Sequence, residues 1–364
     1  MQDNLQKEWA VDHQALNYSL GPSDIAALTA LPGGTTQVSI CKRPLVSPVP
    51  GYAIPHDAAM LLKHYSTKVL QSLTPYRHSK TPWHILFIPN TKSCLAALTL
   101  GEEMDHTSLC AFFVMLAISA SSLGVVSGSE RWSAQSELCR GHARGHARLM
   151  LRTAYDVPKV AKYKLTLMAL LTMMQMSIGA GDHDHTEYYF LETEKFIRVR
   201  GLNGRKSRKV RLLHHFYAFE RTLHKTTFSG NVHSLLHRDV GRAVESCGAK
   251  SFSKESLSFK CLGWGDLEQE MRKIKDREKG ENDLHVQLPG IWSATLYSEI
   301  FGVSETYIFL LFLVIRLERS KNGTTERLSS IGLHEYLNRA KAIESCIQRL
   351  RRRPNVSLSR IRRI

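Results

Sequence analysis

The stretch from Thr107 to Ser129 carries no charged residue. A segment of that length without charge has to be hidden, either in a protein core or in a bilayer. Ser108, Ser119, Ser121, Ser122 and Gly124 along it are small enough to let another helix approach closely, in water or in lipid. A second apolar run, Tyr307 to Ile315, is nine residues long and too short for a bilayer, which needs roughly 20. The two runs predict buried helices and no stable membrane insertion.

Elsewhere apolar residues recur at helical spacing. In Asp57 to Leu73 the stripe is Met60, Leu61, Leu62, Tyr65, Val69, Leu70 and Leu73, with Lys63 and Lys68 outside it. Thr74-Pro75 ends that helix, and the segment through Phe87 reads as a connector. Further helices are expected at about 91–101, 106–125, 131–154, 158–179, 184–201, 206–228, 293–301, 304–319 and 333–350. Pro158 is placed to open one of them, and Gly201 to close the one that ends in Arg198 and Arg200. Period-2 alternation is scarce, so strands are not expected. In 131–228 the apolar faces alternate as in consecutive helical hairpins: Leu165, Met168, Leu171 and Met174 along one helix, Tyr188, Leu191, Phe196 and Val199 on the next. The fold class is therefore all-α, an irregular helical bundle or solenoid of packed antiparallel helix pairs. No repeat of constant period is present.

Three boundaries follow from composition shifts. Residues 1–55 are rich in Pro, Gly, Ser and Thr and read as a disordered linker or arm. Residues 56–350 form the helical domain, interrupted at 230–290 by a charged, weakly periodic, partly disordered insertion. Residues 351–364 are a basic tail.

The formal charge is +16, and a surface that basic attracts nucleic acid, anionic membranes or acidic protein segments. The seven cysteines lie singly, with no C-x-x-C pair. That spacing argues against a disulfide framework or a zinc site and for a reducing compartment.

Histidine clusters offer candidate sites. His142 and His146 lie four apart on one helix, but Arg140, Arg144 and Arg148 share it and would repel a cation. A solvated basic helix face is the expectation. Asp182-His183-Asp184-His185, with Glu187, reads as a polar turn whose carboxylates cap the following helix. His214, Tyr217 and Arg221 share one helical face and His215, Phe219 and Thr222 another, so one face should be buried and the other exposed. No nucleophile elbow, dinucleotide fingerprint or P-loop is present, and no enzyme is expected.

The basic runs say more. Arg198, Arg200, Arg205, Lys206, Arg208, Lys209 and Arg211 crowd one helix–turn–helix junction, and Arg351, Arg352 and Arg353 begin the tail. Such clusters can be a nuclear-import signal, a phosphate-contacting patch or a solvated helix face. Neither has the geometry of a groove reader, so DNA binding by this chain should be weak and non-specific.

The segments LLKHYSTKVLQSL, CAFFVMLAISASSL, DVPKVAKYKLTLMALLTMMQMSIGAGDHDHTEYYFLETEKFIRVRGLNG and LPGIWSATLYSEIFGVSETYIFLLFLVIRLERSKN resemble the middle region of fungal zinc-cluster regulators, the ARCA-like fungal-specific transcription factor family. The resemblance spans roughly residues 57–345. It implies an all-helical regulatory domain in a nuclear protein that acts in RNA polymerase II transcription. Its partners would be proteins of the transcription machinery or a second copy in a homodimer. The family's C-x-x-C-x(6)-C cluster is missing here, so zinc is expected only in an N-terminal cluster and no cofactor in this chain. The alternative expectation is a non-enzymatic peripheral membrane or scaffold protein with a polybasic tail.

Overall fold

The computed structural model describes residues 54–73, 80–156, 161–201, 206–227, 296–321 and 332–352, with residues 267, 269, 273 and 274 besides. All of them belong to the unit Ile54–Ile364. The expected arm, nearly all of the 230–290 insertion and the tail beyond Arg352 lie outside the described residues. The described residues are all-α, helix packed on helix, with no strand.

In chain order the helices are α1 (Ala58–His64), α2 (Ile88–Thr99), α3 (His106–Ser127), α4 (Glu130–Thr153) and α5 (Tyr163–Gly179), followed by α6 (His183–Phe196), α7 (Arg208–Thr227), α8 (Tyr297–Phe301), α9 (Glu305–Lys321) and α10 (Leu333–Arg352). Three are extended by one wide π-helical turn: Tyr65–Val69 after α1, running on into an α-helical turn at Leu70–Leu73, Trp83–Phe87 before α2 and Ile197–Gly201 after α6.

α3 is the uncharged stretch. By length and composition it could cross a membrane, yet 67% of its most apolar part is buried inside the protein. α1, α2, α4 and α5 all pack on it. Its apolar residues point in every direction, which is what a helix covered on all sides needs. The small residues admit the neighbours. Ser119 Oγ donates to the Leu61 carbonyl of α1 at 2.6 Å, and Ser136 of α4 donates to the Ala117 carbonyl at 2.9 Å. At Gly124 an added Cβ would stand 2.9 Å from Ser133 Oγ and 3.3 Å from the Ser133 backbone nitrogen, so the α3–α4 crossing is close there. Asp105 caps α3 by accepting from the Ser108 N–H at 2.9 Å.

Two hairpins organise the centre. α3 turns into α4 through Gly128, whose φ of 63° is left-handed. α5 turns into α6 through Gly181, with φ of 68°. α5 is buried without a break from Thr166 to Ser177, so that stretch has no solvent face, although a one-sided stripe was expected.

The structure corrects the expected boundaries at three places. The connector ending in Trp83-His84-Ile85-Leu86-Phe87 is helical: Pro82 opens it, and Trp83 and Phe87 are core residues packed edge-on to Phe216 of α7, at centroid distances of 5.0 and 6.0 Å. Burial of two large aromatic rings outweighs the polar lead-in that made the segment look like loop. The helix expected from Pro158 starts at Tyr163. Met60 and Leu73, placed on the buried stripe of α1, are 39% and 41% exposed.

Candidate functional site

The basic cluster sits where α6, through its π-helical turn, gives way to α7. The structure divides it. Arg198 is buried and belongs to the interior, with its Nε 3.0 Å and its Nη2 2.9 Å from the Glu194 carboxylate one turn earlier. That removes it from the expected surface patch, because a guanidinium with a carboxylate within reach is stable out of water. Arg200 donates to the Ala154 carbonyl at the end of α4, which anchors the turn. Arg208 pairs with Glu299 of α8. Lys206 is half-buried, and loss of solvent pushes its ammonium pKa down. Lys209 is exposed and Arg211 half-buried. Arg205 and Arg353 lie outside the described residues; Arg351 and Arg352 end α10, their side chains undescribed.

Beneath this surface lies a charge network between α6 and α7 that the sequence did not announce as a unit. Glu187 receives both guanidinium nitrogens of Arg221, at 2.5 and 2.8 Å, and His224 Nε2 lies 3.1 Å from the same carboxylate. The Tyr217 hydroxyl reaches Glu194 at 3.2 Å and the Phe190 carbonyl at 3.3 Å. Arg221 stands over the Phe190 ring at 5.0 Å, and His224 stacks on it at 4.7 Å. These side chains form two bonded groups, Glu187 with Arg221 and His224, and Glu194 with Arg198 and Tyr217, close enough for their charges to act on each other. The i,i+4 pair Glu194/Arg198 was the legible signal; the cross-helix pairing of Glu187 with Arg221 had none.

His214 and His215 are both buried, 3% and 1% exposed, which corrects the expected one-in, one-out arrangement. His214 Nε2 is 2.7 Å from the Tyr163 hydroxyl of α5. His215 Nδ1 is 2.7 Å from the Arg211 carbonyl, and its ring lies 4.5 Å from that of Tyr297 in α8. α7 is sandwiched, so two adjacent faces are covered by different helices. Burial pushes His214 down to about 3 and His215 to about 4. Tyr163 itself was missed. It lies against Gly201, where a Cβ would stand 2.1 Å from its hydroxyl oxygen, so Gly201 is required for more than closing a helix.

The His142/His146 helix face is also corrected. His146 is 1% exposed and stacks on Phe113 of α3, with His106 Nδ1 3.1 Å from its own Nδ1. Burial first, then the neighbouring His106 and His142, depress it to about 4. Asp182 does cap α6: it accepts from the His185 N–H at 3.2 Å. Among the described residues no group of three or more His, Cys, Asp or Glu is arranged to hold a metal ion. Cys94, Cys110, Cys139 and Cys346 are buried, and burial raises Cys94 to about 12.

Among the described residues the fold is all-α, with most of the buried ionisable groups paired or packed between helices. The model of the fungal specific transcription factor domain matches residues 60–360, and the chain belongs to that family. It is accordingly a fungal transcription regulator. No curated protein and no solved structure matches.

Proposed function

We propose that this chain is the middle regulatory region of a fungal zinc-cluster transcription factor, acting in RNA polymerase II transcription in the nucleus. The observation that carries this reading is the family match over 60–360, on a sequence whose helical segments span that same range. Zinc would be held by a cysteine cluster N-terminal to this domain, since the chain itself has no C-x-x-C pair. Arg205, Lys206, Arg208, Lys209 and Arg211, with Arg351 to Arg353, serve nuclear import or contact phosphate. Arg198 and Arg200 hold the turn from within. The partners are proteins of the transcription machinery or a second copy of the chain.

The test is to tether the chain to an unrelated DNA-binding module in a fungal cell and measure transcript from a reporter bearing that module's site. A change in output relative to the module alone is expected. Unchanged output would end the reading, as would recovery of the tagged chain in the membrane pellet and not in nuclei.

A further inference from the structure

α4 contains the tandem Gly141-His142-Ala143-Arg144, Gly145-His146-Ala147-Arg148. Four residues turn a helix by roughly 400°, so each position of the tetrad recurs on nearly the same side. The alanines face inward, Ala143 and Ala147 being buried. The histidines flank Phe113, at centroid distances of 4.9 and 5.7 Å. The arginines continue the tetrad spacing in both directions, from Arg140 through Arg144 and Arg148 to Arg152. Arg140 reaches Glu137 at 2.6 Å and Arg144 lies 3.6 Å from Asp182, while Arg148 and Arg152 are exposed.

The glycines look outward. A Cβ at Gly141 or Gly145 would meet nothing within 4 Å. Leu138, 56% exposed, and Leu149, 36% exposed, continue the glycine stripe at either end. Among the described residues the outer face of α4 is therefore an open backbone seam with an apolar anchor above and below it and a row of guanidinia along one edge.

We propose that this face docks an acidic amphipathic helix of a partner protein. Bare backbone lets a second helix come close, the two leucines take its apolar stripe, and the arginines take its carboxylates. The charge selects the occupant, because α4 carries five arginines against two glutamates and stays cationic although Arg131, Arg140 and Arg144 already reach Asp57, Glu137 and Asp182. A second copy fits poorly: a two-fold contact on this face would set one arginine row near the other, in a chain of net charge +16. Nucleic acid would satisfy the arginines and leave the exposed leucines against phosphate and sugar. The surface stands on the geometry of α4 alone, independently of the regulatory role proposed above.

The probe is a labelled synthetic helix about three heptads long, with leucines along one stripe and glutamates flanking them. Titrated with the purified full chain, it is expected to bind saturably. The pair Gly141→Gln and Gly145→Gln puts each new Cβ where nothing lies within 4 Å and covers the seam, so it should raise Tm while weakening the probe at least about tenfold. The pair Arg148→Glu and Arg152→Glu should weaken it to a similar degree, and a probe with lysines for glutamates should not bind. No saturable binding up to about 1 mM would overturn the proposal. So would an affinity unchanged by the glutamine pair. Duplex DNA bound through the arginines but indifferent to the glutamine pair would assign the face to nucleic acid, and self-association abolished by that pair would assign it to a second copy. Either result would overturn the partner-helix assignment.

Discussion

Arg221 of α7 grips Glu187 of α6 with two hydrogen bonds, 2.5 and 2.8 Å long, and the side chains are only 7% and 13% exposed. A planar guanidinium matched to a carboxylate in this way locks the register of the two helices. Neither partner can be removed alone without stranding the other charge out of water. Arg221→Ala or Glu187→Ala should cost about 3–5 kcal/mol. Urea denaturation followed by circular dichroism measures it, and a double-mutant cycle should return a coupling well above the few tenths expected of independent sites.

Stability should fall as the solution is acidified below about pH 6.5. His146, His214 and His215 are depressed to about 4, 3 and 4 by burial, so the folded chain keeps them neutral where the unfolded chain has protonated them. The stabilisation is complete above the unfolded value of 6.5 and is lost as pH drops toward the folded values. Each could contribute about 3 kcal/mol. Glu220, raised to about 7 by burial, works in the opposite sense: its folded form holds a proton that the unfolded chain releases above 4.5. Glu192, also raised by burial, acts in the same sense as Glu220, and the three histidines outweigh the two carboxyls. Urea midpoints at pH 7.5 and 5 should show the lower stability at pH 5, and equal midpoints would contradict this account.

Two glycine substitutions should have opposite signs. At Gly201 a Cβ would collide with the Tyr163 side chain, at 2.1 Å from Oη and 2.8 Å from Cζ, so Gly201→Ala should destabilise by about 1–3 kcal/mol. At Gly141 the space is open and the site is mid-helix, so Gly141→Ala should stabilise by about 0.5–1 kcal/mol. Thermal melts of the two variants beside the parent protein decide the matter.

Asp105 holds the first turn of the central helix, with Oδ1 on the Ser108 N–H and Oδ2 on its hydroxyl, both at 2.9 Å. Asp105→Ala should cost about 1 kcal/mol and Asp105→Asn a good deal less, because Asn also caps well. The same denaturation assay reads both.

DNA binding by the isolated chain should be weak, indifferent to sequence and lowered at least about tenfold between low and physiological salt. Fluorescence anisotropy with two unrelated duplexes tests it. Tight binding to one duplex at physiological salt would require a reader that neither basic run provides.

The helices were legible along the chain because local chemistry sets them. Spacing of apolar residues and the polar turn at Asp182 act within a few residues of themselves, so the sequence alone determined the all-α class and most helix limits of the described residues. Which polar side chains would be buried depended on how many neighbours each helix has, and only the tertiary structure decided that. α5 and α7 are enclosed on more than one face, so Gln175, His214 and His215 lie inside despite their polarity. His146 was misread as solvated because its cover, Phe113, comes from another helix. The basic cluster divided into buried ties and surface charge on both grounds: Glu194 one turn before Arg198 is a local pairing, whereas the Ala154 carbonyl, 46 residues back, came within reach of Arg200 only on folding. An ion's fate is set by the partner within hydrogen-bond range, and folding brings in partners that sequence distance cannot reveal.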